Sequence, residues 1–161
     1  NQACIGVRPA IRFNLQSAAF IPAENSNCVV DYENRFIYGL TTGLTSLNGF
    51  VEAVNGFLLS YAGTLGTGCR VNVSTGGWVV DSYKTVIFGD VNGDGNITGL
   101  DAGIMVNVEN YMVSCDPVND AATLKAADVN GDGNVTGIDA GIVVDVENYM
   151  RTINQSTGLA S

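Results

Sequence analysis

The sequence contains no histidine, only seven lysines and arginines together, and no long apolar run. Without histidine, the chain lacks the commonest general base and the commonest transition-metal ligand, so any bound metal is expected to be a hard, oxygen-liking cation. Sixteen acidic side chains give a net charge of −9. This charge argues against nucleic acid and anionic membranes as partners, because both select clustered lysine and arginine. No stretch approaches the ~18 apolar residues of a membrane span.

Cysteine is scarce and scattered, with no CxxC pair, so neither a zinc ribbon nor a thioredoxin-type redox site is expected. The four residues are Cys4, Cys28, Cys69 and Cys115. In a secreted protein they could form up to two disulfides in any of three connectivities, and four buried thiols are the alternative. The chain begins at Asn1 without a methionine or a signal peptide, which is typical of a processed or excised piece.

An internal repeat organises the second half of the 161 residues. Residues 90–112 and 128–150 align without gaps at an offset of 38 residues and match at 19 of 23 positions. Three of the four differences exchange one apolar side chain for another, and only the pair Asn107 and Asp145 changes charge. This near-identity predicts two copies of one structural unit.

Each copy opens with the pattern Asp-x-Asn-x-Asp-Gly-Asn-x-Thr-x-x-Asp, at residues 90–101 and 128–139. Calcium takes about six to eight oxygen ligands, which a loop supplies when alternate side chains point towards one centre. The spacing predicts two EF-hand-like calcium loops, each turning sharply at Gly95 or Gly133. The predicted ligands are Asp90, Asn92, Asp94, Asn96 and Asp101, then Asp128, Asn130, Asp132, Asn134 and Asp139, with Thr98 and Thr136 acting through water.

The twelfth position of both loops is Asp, where the common pattern has a bidentate Glu. The shorter side chain requires the start of the following helix to lie closer to the ion. A plain Asp/Asn/Gly turn is the alternative interpretation, but two complete copies favour calcium. Six of the sixteen acidic groups fall in these loops and repel one another without a cation. We therefore expect two Ca²⁺ ions, whose binding stabilises this half of the chain.

One helix is predicted after each loop, over residues 100–113 and 138–152, with a third over residues 119–127 between the copies. Glycines and valines lower the helix propensity, so packing of an apolar stripe must stabilise the two repeated helices. The stripe is expected to lie mostly in the core. Its members are Ile104, Met105, Val108, Tyr111 and Met112, then Ile142, Val143, Val146, Tyr149 and Met150.

Residues 36–88 consist of short apolar stretches divided by Gly, Thr and Asn, which predicts a small α+β module. Strands are predicted over residues 35–40, 69–73 and 78–88, and a helix over residues 46–55. No linker rich in Pro or Ser follows, so the last strand should run directly into the first loop.

This first module contains no phosphate loop, nucleophile motif or recognisable acid/base pair. A structural role is therefore the leading interpretation. Stacking of a sugar on an exposed Trp78 or Tyr83 is the alternative.

The segments at residues 89–95 and 127–133 resemble the dockerin module of bacterial cellulosomes and related complexes. A calcium loop followed by a single helix, duplicated, is the dockerin arrangement. The preceding segment resembles the small X-module-like domain that often precedes dockerins, and residues 6–11 resemble the closing strand of an upstream extracellular domain. The resemblances imply a remnant strand at residues 1–22, an X-module-like α+β domain at 23–88 and a dockerin at 89–155.

These resemblances imply an α+β chain, in which a small mixed α/β or β-rich N-terminal module is fused directly to an all-α dockerin with two EF-hand-like calcium loops. They also imply docking onto a cohesin, a β-sandwich receptor on a scaffoldin or at the cell surface. The positions that face the partner in dockerins are here Gly99, Leu100, Val106 and Asn107, then Gly137, Ile138, Val144 and Asp145.

Many dockerins carry hydroxyl residues and a Lys-Arg pair at these positions, so the contact in this chain is expected to be more apolar and less basic. For Leu100 and Ile138, burial in the core is an equal alternative to partner contact. Near-identity of the halves implies that either helix could face the receptor after a rotation of about 180°.

The leading prediction is a monomeric, secreted, non-enzymatic module that attaches its parent protein to a bacterial cell-surface complex of the cellulosome or amylosome type. The alternative is a calcium-stabilised structural C-terminal module without a cohesin partner. A glycosidase fragment would need a carboxylate pair across a cleft. A calcium sensor would need a helix before each loop, and none is predicted directly before the first loop.

Overall fold

The structure is a computed structural model that describes residues 18–161. The expectations for Cys4 and for the strand at residues 6–11 lie outside the described residues. All strands of the described residues lie between residues 20 and 85, and all helices lie between residues 99 and 147. This is the predicted α+β arrangement of a β-rich region followed by a helical region.

The described residues form seven strands in two sheets. They are β1 (Phe20–Pro22), β2 (Val29–Asp31), β3 (Phe36–Tyr38), β4 (Val51–Ala53), β5 (Leu58–Tyr61), β6 (Arg70–Thr75) and β7 (Trp78–Thr85). Strands β1 and β4 form an antiparallel pair, and the other five form a sheet with the order β2-β3-β7-β6-β5. In the larger sheet β3 and β7 are parallel, and the other neighbours are antiparallel.

Buried side chains alternate with more exposed ones along β6 and in the second half of β7, and the buried ones form part of the core of the β-rich region. Val71 and Val73 are fully buried on one face of β6, as the two-residue period of a strand requires. Tyr83 on β7 is also buried and packs edge-on against Phe20, with ring centroids 4.7 Å apart. Sugar stacking is therefore excluded for Tyr83 by burial, whereas Trp78 is 79% exposed.

The helix predicted over residues 46–55 is wrong. The chain instead turns sharply, with the N–H of Phe50 donating to the carbonyl of Leu47 at 3.0 Å, and then enters β4. Val51 is buried and pairs with Pro22 of β1. Periodicity in so short a stretch does not separate helix from strand, and here the cross-strand partner decides the outcome.

The helical region contains three helices among the described residues: α1 (Gly99–Glu109), α2 (Ala121–Ala127) and α3 (Gly137–Glu147). Helices α1 and α3 begin with matching capping boxes, in which Thr98 and Thr136 are the N-caps and Asp101 and Asp139 the third residues. A capping box satisfies N–H groups that the first turn leaves without partners. Within residues 18–161, no helix is long and apolar enough to cross a membrane.

Helices α1 and α3 end four and five residues earlier than predicted. Tyr111 and Tyr149 follow them with φ of 58° and 59°, a left-handed conformation that stops the helix. The N–H of Met112 then donates to the carbonyl of Asn107 at 2.8 Å, which is the closing bond of a Schellman motif. The predicted core position of Tyr111, Met112, Tyr149 and Met150 is therefore wrong, because all four are exposed.

The helical region has its own hydrophobic core, separate from that of the β-rich region. This core also includes side chains from the residues that follow β7. Met105 of α1 and Val143 of α3 are fully buried where the two helices pack, and Ala126 of α2 joins them. Val86 and Phe88, which follow β7, complete the same cluster. The chain thus passes from the last strand into the helical core without an intervening linker, as predicted.

The C-terminal tail, residues 152–161, folds back on both regions. The side chain of Gln155 accepts the N–H of Phe88 at 2.7 Å and donates to the carbonyl of Phe88 at 2.8 Å. The backbone carbonyl of Gln155 accepts the N–H of Gly39 at 2.7 Å. The tail therefore connects the β-rich region to the start of the helical region.

Among the described residues, the three cysteines Cys28, Cys69 and Cys115 are free thiols. Only Cys28 is buried, and burial raises its pKa to about 12. The expectation of buried thiols thus holds for Cys28 and is wrong for Cys69 and Cys115, which are partly exposed.

Candidate metal centres and docking surface

The first predicted calcium loop curls around its own polar side chains. Gly93 and Gly95 have φ of 78° and 86°, a conformation that side chains resist and that a tight loop requires. The N–H of Asp94 donates to Oδ1 of Asn92 at 2.8 Å, and Nδ2 of Asn92 lies 2.9 Å from Oδ2 of Asp94. The side chains of two predicted ligands are therefore in direct contact.

The second loop repeats this geometry. Gly131 and Gly133 have φ of 76° and 87°. The N–H of Asp132 donates to Oδ1 of Asn130 at 2.8 Å, and Nδ2 of Asn130 lies 3.0 Å from Oδ2 of Asp132. Two sequences that match at nearly every position thus form the same backbone turn.

The seventh residues of the loops, Asn96 and Asn134, are exposed. Their N–H groups donate to Oδ1 of Asp94 and of Asp132, each at 2.8 Å. These hydrogen bonds extend the tight turn of each loop to its seventh residue.

The closing aspartates tie each loop to the helix that follows. In the first copy Oδ1 of Asp101 accepts the N–H groups of Val91 and Asn92 at 2.8 and 2.9 Å, and Oδ2 accepts the N–H and the hydroxyl of Thr98. Asp139 makes the equivalent four bonds in the second copy. Both carboxylates are fully buried. The short Asp at this position is thus matched to a helix that begins immediately beside the loop.

The chemistry of the donor set fits calcium, because carboxylate, amide and carbonyl oxygens are its preferred ligands. Within residues 18–161, no group of three or more His, Cys, Asp or Glu side chains converges to hold a metal. The loop carboxylates accept N–H groups of their own loops, and Asp90 also accepts the N–H of Thr67. The remaining ligands of each predicted set are asparagine and backbone oxygens. The ligand roles therefore stay predictions.

Burial and hydrogen bonding set the pKa values of the loop carboxyls. Burial raises the pKa of Asp90, and hydrogen bonds from the N–H groups of Thr67, Gly95 and Gly93 offset part of this rise. Hydrogen bonds within the loops lower the pKa of Asp94 and of Asp132. The exposed carboxyls are thus held in their anionic form, which is the form that binds a cation.

Helices α1 and α3 lie antiparallel, with reciprocal contacts at their two ends. The N–H of Gly99 donates to Oε2 of Glu147 at 3.0 Å, and the N–H of Gly137 donates to Oε2 of Glu109 at 2.9 Å. Each glutamate near the end of one helix therefore caps the start of the other. These contacts give the helix pair an approximate two-fold symmetry.

The predicted partner-binding residues fall on the exposed side of this pair. Leu100 and Ile138 are 71% and 66% exposed, so their alternative position in the core is excluded. Val106 and Val144 are 40% and 39% exposed. The flanking Gly99 and Gly137 are exposed, and Asn107 and Asp145 are half-buried.

The exposed Tyr111, Met112, Tyr149 and Met150 were not among the predicted contact residues. Each tyrosine lines a groove between its own helix end and the loop of the other copy, with volumes of about 630 Å³ at Tyr111 and about 640 Å³ at Tyr149. The helical spacing of apolar residues extends through these four residues, so the sequence does not show that each helix has already ended. The Asn-Tyr pair after Glu109 and Glu147 carries no glycine to signal a helix end.

The second half of the chain is thus a duplicated loop-and-helix unit with acidic loops and an exposed apolar face. Residues 88–145 match the family model of the dockerin type I domain, which supports a dockerin module in this part of the chain. Dockerin domains are protein-binding modules rather than catalytic domains. No curated protein and no solved structure gave a match to the chain.

Proposed function

We propose that the helical region docks its parent protein onto a cohesin in a calcium-dependent way. The match to the dockerin type I domain supports this function. The single observation that carries it is the paired exposure of apolar residues at equivalent positions of α1 and α3, since Leu100 and Ile138 are apolar side chains left uncovered at the helix starts. Exposed apolar patches of this kind are typical of protein interaction sites.

Two Ca²⁺ ions complete this proposal, one in each loop. Side-chain oxygens at the first, third, fifth and twelfth positions and the seventh backbone carbonyl would ligate each ion, with the ninth-position threonine acting through water. When bound, calcium supplies charge neutralisation and a fixed loop shape. The proposed ligands are Asp90, Asn92, Asp94, Asn96 and Asp101, then Asp128, Asn130, Asp132, Asn134 and Asp139.

The proposed cohesin surface consists of the eight predicted positions together with the two exposed tyrosines. Its centre is more apolar and less basic than is common, because Val106-Asn107 and Val144-Asp145 stand where many dockerins have a Lys-Arg pair. Since the two copies expose equivalent residues to similar extents, we propose that the cohesin binds in either of two orientations, related by about 180°. The module acts as a monomer in this scheme.

The setting of this function is an extracellular bacterial complex of the cellulosome or amylosome type. We propose residues 89–155 as the docking unit and residues 23–88 as an X-module-like support, with residues 1–22 belonging to an upstream domain. Contacts of Phe20 with the β-rich core link the last residues of that segment to the support.

Calorimetric titration of the full chain against a panel of cohesins, with calcium and with a chelator, tests the function. We expect binding to at least one cohesin in calcium and none in chelator. Leu100→Ala or Ile138→Ala alone should weaken binding only slightly if both orientations are used, whereas the double variant should weaken it strongly. Calcium binding without any cohesin binding would favour a purely structural module.

A further inference from the structure

The two loops match in sequence but differ in what covers them. The carboxylate of Asp90 in the first loop is fully buried, whereas Asp128, its equivalent in the second loop, is only half-buried. The β-rich region covers the first loop through residues 66–67 and Gly43.

A backbone donor from outside the loop reaches the first site. The N–H of Thr67 donates to Oδ2 of Asp90 at 2.8 Å, beside the bonds from Gly93 and Gly95 of the loop itself. Within residues 18–161, the donors to Asp128 are three N–H groups of its own loop. Both carboxylates thus accept three N–H groups, but one of the three at Asp90 comes from the β-rich region.

The segment that carries Thr67 fits closely against the loop backbone. A Cβ atom at Gly66 would lie 2.1 Å from the carbonyl oxygen of Gly93, so only glycine permits this approach. On the same side, the N–H of Gly43 donates to the carbonyl of Gly95 at 2.8 Å. The β-rich region thus holds both the carboxylate and the backbone of the first loop.

The second loop contacts the C-terminal tail instead, through backbone and apolar groups. The N–H of Ala160 donates to the carbonyl of Val129 at 3.1 Å, and the side chain of Leu159 lies against Gly131. Neither contact reaches the carboxylate of Asp128.

We propose that Thr67, placed by Gly66, is a positioning residue for the first calcium site, so that the first loop binds calcium more tightly than the second. This inference rests on the proposed calcium binding. A carboxylate anchored to a second element of the fold loses less conformational freedom when its loop closes on an ion, and its attraction to a cation is stronger where water is excluded. The β-rich region is then a part of the metal site as well as a support.

The test measures each loop separately in the full chain. Asp132→Ala disables the second loop and Asp94→Ala disables the first, so calorimetric titration with calcium reports one site at a time. We expect the first loop to bind more tightly. Adding Gly66→Ala should lower the affinity of the first loop about tenfold or more and change that of the second less than about twofold.

Gly103→Ala provides the matched control, because a Cβ atom there meets nothing within 4 Å, and it should change neither affinity. Equal effects of Gly66→Ala on both loops, or no effect on either, would overturn the inference. If calcium bound to neither loop of the unmodified chain, the proposed function itself would fail.

A second measurement needs no substitution in the contact. In the unmodified chain, the amide resonance of Thr67 should shift as calcium fills the first loop, and its hydrogen exchange should slow. An amide signal of Thr67 that stayed constant through the titration would contradict the proposed coupling. Circular dichroism of Gly66→Ala shows whether the variant keeps its fold.

Discussion

The carboxylate of Glu147 accepts the N–H of Gly99 at 3.0 Å and so joins the end of α3 to the start of α1. The repeat produces the equivalent contact between Glu109 and Gly137. A carboxylate at a helix N-terminus forms a charge-assisted bond and opposes the positive end of the helix dipole. The two contacts hold the helix starts on which Leu100 and Ile138 are exposed.

Replacing either glutamate should destabilise the helix pair. We expect Glu109→Gln and Glu147→Gln each to lower the free energy of unfolding by about 1 kcal/mol, and the double variant to lose about the sum, because the sites lie at opposite ends. Urea denaturation in the presence of calcium measures the free energy of unfolding of the single and double variants. Glu52→Gln, at an exposed position on β4, is the control, and an equal loss there would refute a specific role of the two contacts.

Calcium removal should destabilise the helical region. A chelator is expected to lower its melting temperature, because the loop carboxylates repel one another when no cation is present and binding energy is then lost from the folded state. The double variant Asp94→Ala with Asp132→Ala should melt at the same temperature with and without chelator. An unmodified chain that melted identically in both buffers would rule out stabilising metal sites.

Relieving the left-handed tyrosines should stabilise the protein. Tyr111 and Tyr149 have positive φ, which costs a residue with a Cβ atom about 1 kcal/mol relative to glycine. We expect Tyr111→Gly and Tyr149→Gly each to raise the melting temperature in calcium. Tyr111→Ala should give no such gain, since alanine keeps the Cβ atom. If these rings contact a cohesin, the stabilised variants will bind it more weakly in calorimetric titration with calcium present.

The buried thiol should resist modification and make stability depend on pH. Burial raises the pKa of Cys28 to about 12 from 9.0, so folding favours its neutral form. This contribution is complete below about pH 9 and is lost as the pH rises towards 12. In single-cysteine variants at pH 8, Cys115 should react with a thiol reagent much faster than Cys28. Equal rates before unfolding would contradict the burial.

The helical region was largely predictable because its information is local and present twice. Helices α1 and α3 follow from spacings that recur in both copies, whereas α2 lies between the copies and was predicted from its own residues alone. The role of Thr98 and Thr136 as helix caps was not predicted. The helix ends at Glu109 and Glu147 were not predictable, since Tyr111 and Tyr149 replace the glycine that normally announces a Schellman motif.

The β-rich region was less predictable because its strands are short and find partners far along the chain. Strand β1 pairs with β4 across about thirty residues, and no local pattern reveals that pairing. The contact between Thr67 and Asp90 is equally non-local, because it joins a glycine-rich loop without a motif to the predicted calcium loop. Neither sequence feature alone points to the other.

Phe88 and Val86 have a practical meaning for anyone dissecting this polypeptide. Both side chains pack in the helical core although they precede the first loop. The side-chain amide of Gln155 hydrogen-bonds to the N–H and to the carbonyl of Phe88. A recombinant fragment starting at Gly89 would lack the side chains of Val86 and Phe88 from its core, and the side chain of Gln155 would lose both of its hydrogen-bond partners. A fragment meant to fold on its own should therefore begin upstream of Val86 and extend to the last residues.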